Sequence, residues 1–119
     1  SIINFSANDT RRIDMIIGIG YSSNLLEAKQ ILEKLITADE RILKEPEHII
    51  KVGELGESSV NLYVRPWVNT ADYWKVRFDL TENIKLTFDE AGIEIPFPQR
   101  QIHLSSSQTL KSDLSDQVL

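Results

Sequence analysis

The run RIDMIIGIGYSSNLLEAKQILEKLI, Arg12 to Ile36, changes its apolar period once, and that change decides the first half of the fold. Ile13, Met15, Ile17 and Ile19 recur every second residue, which predicts a half-buried strand over Arg12 to Tyr21. From Leu25 the spacing becomes helical. Leu25, Ala28, Ile31, Leu32, Leu35 and Ile36 form one face, with Glu27, Lys29, Glu33 and Lys34 outside it. Between the two periods stands Ser22-Ser23-Asn24, and Glu27 follows Asn24 by three residues, the spacing of a capping box.

Downstream, the helix fades near Asp39, Pro46 marks a break, and Ile49-Ile50-Lys51-Val52 begins a second strand. Gly53 and Gly56 flank a turn-rich stretch. Val60, Leu62 and Val64 then alternate with polar neighbours as a third strand, and Pro66 predicts that its far end lies at an edge or leaves the sheet. Asn69-Thr70-Ala71-Asp72 reads as the cap of a second helix whose stripe is Tyr73, Val76, Leu80, Ile84, Phe88 and Ala91. Gly92 stands where a left-handed terminator belongs. The order is β-α-β-β-α. A last short strand, Gln101 to Leu104, would complete an α+β, ferredoxin-like β-α-β-β-α-β sandwich. Ile95-Pro96-Phe97-Pro98-Gln99 is stiff and extended, so this strand is either held away from the body, in need of a partner elsewhere, or follows an ordinary proline-locked loop. Upstream, Ile2-Ile3-Asn4-Phe5 reads as the end of a strand whose partners are missing, followed by a polar turn at Ser6 to Thr10; with Ser1 not an initiator Met, a piece of a longer protein is expected. The boundaries expected on this reading are 1–10, 11–95, 96–104 for the arm and last strand, and 105–119 for a frayed tail.

Composition bounds the chemistry. The 119 residues support one domain with a real core, and 41% hydrophobic with 26% charged residues is ordinary globular usage. There is no cysteine, which removes disulfides, thiol chemistry and cysteine-based metal sites. A net charge of -5 argues against nucleic acid or an anionic membrane face as a partner. No window approaches the ~20 apolar residues that span a bilayer, and the run Met15 to Ile19 is broken by Gly18.

Nothing in the sequence assembles an acid, a base and a nucleophile, so no enzyme is expected, and no cofactor. Gly18-Ile19-Gly20 between strand and helix invites a dinucleotide reading, with Glu40 near the ribose-binding position, but Ser23 replaces the third glycine. An eased strand-to-helix turn explains Gly20 better. His48 and His103 lack neighbours at metal-ligand spacing. Ser22, Ser23, Ser58 and Ser59 sit in caps and turns. Asp89 and Glu90 beside Lys85 read as a solvated helix flank.

Several blocks, taken in order, carry a family resemblance. They are Tyr21-Ser22-Ser23, Asp39-Glu40-Arg41-Ile42-Leu43-Lys44, Glu54-Leu55-Gly56-Glu57-Ser58-Ser59-Val60-Asn61, Val64-Arg65-Pro66-Trp67, Phe88-Asp89-Glu90-Ala91-Gly92-Ile93 and Ile95-Pro96-Phe97-Pro98-Gln99. Together, from about Ile2 to Leu104, the chain resembles the small-conductance mechanosensitive channel family. Asn4-Phe5-Ser6 with Arg11-Arg12 looks like that family's exit from its middle β domain. The resemblance implies a homoheptamer of the bacterial inner membrane that releases ions and small osmolytes on hypo-osmotic shock. Its pore helices precede this stretch, and membrane contact would run through those helices alone. Residues 1–10 would then end the middle β domain, 11–95 would form part of a hollow cage on the cytoplasmic side, and Ile102 and Leu104 would enter a barrel shared by the subunits.

On that reading Asp9, Arg11, Arg12 and Asp14 lie at the junction where side portals open. They either rim the portals and bias permeating ions, or form a local ion-pair network that pins two domains. Trp67, Tyr73 and Trp74 are expected at a subunit contact, with packing inside the subunit as the alternative. Detached from the membrane part, the piece is expected to be monomeric or only weakly associated. The rival class is a free-standing ferredoxin-like module that binds a small molecule or protein through its sheet.

Overall fold

The computed structural model describes residues 9–96. Two sheets and two long helices follow in the order β1 (Thr10–Arg12), β2 (Met15–Ile19), α1 (Leu25–Ala38), β3 (Ile49–Leu55), β4 (Val60–Arg65), β5 (Trp67–Asn69) and α2 (Tyr73–Ala91). A single 3-10 turn, Thr70–Asp72, leads into α2. In the larger sheet β4 lies between β2 and β3, antiparallel to both, which is the strand order a ferredoxin-like β-α-β-β-α run produces. The expected fourth strand, Gln101 to Leu104, and the strand remnant Ile2 to Phe5 lie outside the described residues.

The helical faces read from the sequence are those that bury. Ala28, Leu32 and Ile36 of α1 and Tyr73, Val76, Leu80, Ile84 and Phe88 of α2 close over Met15, Ile19, Leu62 and Val64 of the sheet. On the opposite sheet face the row Ile16, Tyr63, Lys51 carries no helix among the described residues, and Ile16 is 67% exposed. Asn24 Oδ1 accepts from the Glu27 amide at 3.0 Å, so α1 starts where the spacing placed it. Gly92 ends α2 at φ 76°, its amide donating to the Phe88 and Asp89 carbonyls. A residue with a Cβ would be strained in that left-handed conformation.

Three details correct the expectation. The strand predicted over Arg12 to Tyr21 is two strands, because Ile13 leaves one ladder before Met15 joins the next. Pro66 is the cause. It lacks an N–H, so β4 cannot continue its ladder through it, while its carbonyl accepts from Ile13 N at 2.8 Å. The chain steps there from the large sheet into the two-stranded β1–β5 sheet. Next, the turn-rich stretch does not start at Gly53, because β3 runs on to Leu55. Gly53 sits inside β3 where the register shifts between Val52 and Glu54, and the Tyr63 ring of β4 lies directly against its Cα. Finally, neither Asn69 nor Asp72 caps α2 through its side chain; the 3-10 turn winds the chain into the helix instead.

Candidate functional site

The charged residues singled out in the sequence gather where β1, β2, β4 and α2 meet. Arg12 donates to Asp14 through Nε at 2.6 Å, and Arg65 Nε of β4 lies 3.8 Å from the same carboxylate. Arg77, one turn into α2, donates through Nη1 to the Asp14 carbonyl at 3.2 Å and to Tyr73 Oη at 3.4 Å. The Arg11 guanidinium lies 3.8 Å from the centre of the Tyr73 ring, a cation–π contact that seats β1 on the start of α2. Asp9 contributes its backbone carbonyl, which accepts from Thr70 N at 2.7 Å.

Arg65 and Arg77 were missed by the sequence reading. A signal for Arg77 was present, since it follows Tyr73 by four residues on a helix and so shares its face. Arg65 gave none; only the antiparallel register, Met15 opposite Val64, carries it next to Asp14.

Beside this cluster runs an aromatic stripe. Tyr73 is buried and meets Trp74 edge to face at 5.0 Å, and Trp74 tilts against Phe78 at 5.6 Å. Trp74 is 56% and Phe78 63% exposed, so two large rings stand side by side in solvent. Trp67 is half-buried, with its carbonyl accepting from Leu43 N at 2.8 Å. Tyr73 thus belongs to the subunit's own core, while Trp74 and Phe78 face outward. Ile102 and Leu104 lie outside the described residues.

The other candidates resolve into structural contacts. Gly20 donates its amide to the Glu94 carbonyl at 2.9 Å, and its own carbonyl accepts from Ser23 N. The amide that a phosphate would need there is already in use. His48 is bonded through Nε2 to Glu33 Oε1 of α1 at 2.9 Å, tying the start of β3 to that helix. His103 lies outside the described residues. Ser23 Oγ accepts from Glu94 N, and Ser59 Oγ donates to Asn61. Lys85 pairs with Asp89 four residues on, at 3.0 Å. Among the described residues no group of three or more metal-ligating side chains converges. Among them, too, no helix is long and apolar enough to cross a membrane.

One further charged contact ties α1 to α2. Arg41 reaches Asp39, the residue that ends α1, at 2.8 Å and Asp79 of α2 at 3.1 Å. Asp39 also accepts the Arg41 backbone amide at 2.9 Å. The Arg41 hydrogen bonds hold the Asp39 carboxyl below the usual carboxylate range, and Asp39 in turn strengthens the guanidinium's hold on its proton.

Comparison with known proteins adds what geometry leaves open. The family described as mechanosensitive ion channel MscS, C-terminal, matches residues 13–95. An uncharacterized MscS family protein of Synechocystis is 44% identical over 114 residues, covering 96% of this chain and 38% of the relative. A small-conductance mechanosensitive channel of Edwardsiella ictaluri is 45% identical over 104 residues, 87% of this chain and 36% of that protein. The crystal structure of Helicobacter pylori MscS in its closed state superimposes with a TM-score of 0.72 at 31% identity, over 85% of this chain and 40% of that one. The chain therefore spans about two-fifths or less of the length of these relatives. The family these comparisons point to is one of mechanosensitive channels, not of enzymes. With an α+β body that superimposes on a solved member and a family match running from Ile13 to Ile95, this chain belongs to the MscS mechanosensitive ion channel family, of which it carries the C-terminal domain.

Proposed function

We propose that this chain is the cytoplasmic cage part of a homoheptameric inner-membrane channel that releases ions and small osmolytes when hypo-osmotic shock tenses the membrane. The family match over residues 13–95 carries the reading. The charged junction supports a portal role. Arg12, Arg65 and Arg77 converge on Asp14 at a surface position, so a rim built from this corner in every subunit would place several guanidiniums around each opening. The same contacts also pin β1 to the body, and the two roles are compatible. Trp67, Trp74 and Phe78 present aromatic surface suited to a neighbouring subunit, while Ile102 and Leu104 would enter a shared barrel.

The test is physiological. The complete subunit that carries this chain, expressed in cells stripped of their own mechanosensitive channels, is expected to restore survival of a sudden dilution and to give tension-gated currents in membrane patches. Absence of both overturns the reading. Within such a channel, the double change Arg11→Glu with Arg12→Glu should alter conductance and the cation-to-anion permeability ratio. Unchanged values would refute the portal role. Trp67→Ala should loosen the heptamer on native gels, and an unaltered assembly would refute its place at a subunit contact.

A further inference from the structure

Charge is divided between the two flanks of this fold. β5 has β1 hydrogen-bonded along one edge, with Arg11 opposite Val68, and the segment after α1 along its other edge, with Ile42 bridged to the same Val68 and Leu43 N donating to the Trp67 carbonyl at 2.8 Å. The larger sheet repeats the order, since β2 follows β1 on one edge and β3 follows that segment on the other. Two strand spacings, about 10 Å, separate those edges.

On the β1–β2 side stand Arg11, Arg12 and Arg77, opposed locally by Asp9 and Asp14. On the other side a groove of about 690 Å³ is lined by Glu33, Glu40, Glu45 and Glu47, offset by Lys44, with His48 held by Glu33. Glu45 and Glu47 are exposed. Each flank leaves an excess of one sign, and the signs are opposite.

We infer that the arginine flank of one copy docks on the Glu45–Glu47 flank of the next, giving a head-to-tail contact between copies of this chain. This rests on the identical-subunit assembly proposed above. Two different patches on one subunit that complement each other make a heterologous interface, the type that closes into a ring when the rotation allows. A chain with net charge -5 would otherwise repel its own copies, so segregating the charge lets like-charged subunits meet with opposite signs facing. The flanks would fix register and orientation, while the apolar surface nearby supplies most of the buried area.

The test traps the contact covalently. Arg12→Lys with Arg77→Lys keeps the charge and supplies primary amines, and a carbodiimide joins an amine to a carboxylate only where the two touch. The chain is mixed at high concentration from unlabelled and 15N-labelled preparations, so cross-links between copies are recognised as mixed-isotope peptide pairs. The expected pair joins residue 12 or 77 to residue 45 or 47. Its yield should fall about tenfold as salt shortens the Debye length from about 10 Å at 0.1 M to about 3 Å at 1 M. Circular dichroism and melting of each variant establish that the fold is kept. Mixed-isotope links that join other sites and omit these flanks would overturn the inference while leaving identical-subunit assembly standing. No mixed-isotope link at all, with sedimentation showing only monomer at the same concentration, would overturn the docking of these flanks, whereas a complete subunit that runs as a monomer on native gels would overturn the identical-subunit assembly on which it rests.

Discussion

Removing the guanidinium of Arg41 with Arg41→Met is expected to destabilise the domain by about 1–2 kcal/mol at pH 7, while keeping the unbranched stem that packs beside Asp39. The figure comes from two unequal contacts. Asp79 is 55% exposed, so its pairing at 3.1 Å is worth only about 0.2–1 kcal/mol after solvent screening. Asp39 is more sheltered, at 17% exposure, and is gripped through both Nε and Nη2; a charge-assisted contact of that kind contributes about 1 kcal/mol net. Equilibrium urea unfolding measures the sum, with an unchanged m-value expected because the surface exposed on unfolding does not change. Acidity gives a second, independent readout. The folded state holds the Asp39 carboxyl below its ordinary value, mainly through the Arg41 side chain. Its stabilisation is therefore complete above the unfolded carboxylate value of about 4, and is lost as pH falls through the lower folded value. The difference between wild type and Arg41→Met should narrow as pH falls below about 4 for that reason. A variant within about 0.3 kcal/mol of wild type at pH 7, or a difference that stays constant into acid, would refute the clamp.

Two further changes probe the backbone. Gly53→Ala should cost about 1–3 kcal/mol by thermal or urea unfolding, because the added methyl overlaps the Tyr63 ring; Tyr63→Ala in the same chain should recover part of that loss, and strictly additive effects would show that the ring is not the obstacle. Gly92→Ala should cost about 1 kcal/mol through its left-handed φ of 76°, although nothing lies within 4 Å of the added Cβ, so a neutral or stabilised melting temperature would contradict a purely conformational cost.

What was legible in the sequence is what a regular period can encode. Leu25 to Ile36 and Tyr73 to Ala91 announced their faces because each third or fourth residue is apolar, and Asn24 and Gly92 announced two helix ends through local chemistry that needs no partner. The strand split was not legible from Arg12 to Tyr21, where the alternation through Ile13 runs unbroken; its cause, Pro66, lies more than fifty residues away in sequence and acts through its missing donor. That β3 runs on through Gly53 was not legible either, because a glycine inside a strand has no meaning until the ring opposite it is known. In the candidate site the acid–base pair Arg12 and Asp14 is local and was visible, whereas Arg65 arrives by register. Arg11 was visible as a charge, but its seat on Tyr73 depends on β1 pairing with β5.

The missing donor at Pro66 also divides the molecule energetically. Because the ladder is interrupted there, β1 and β5 share bonds with each other and with Ile42 and Leu43, but do not extend the β2–β4–β3 ladder. The smaller sheet can therefore fray as its own cooperative unit, and its amides should exchange with solvent deuterium sooner than those of β4, whose Leu62 and Val64 are fully buried. A piece of fold that yielded first, next to the arginines of β1, would give this corner a compliance that the β2–β4–β3 sheet lacks.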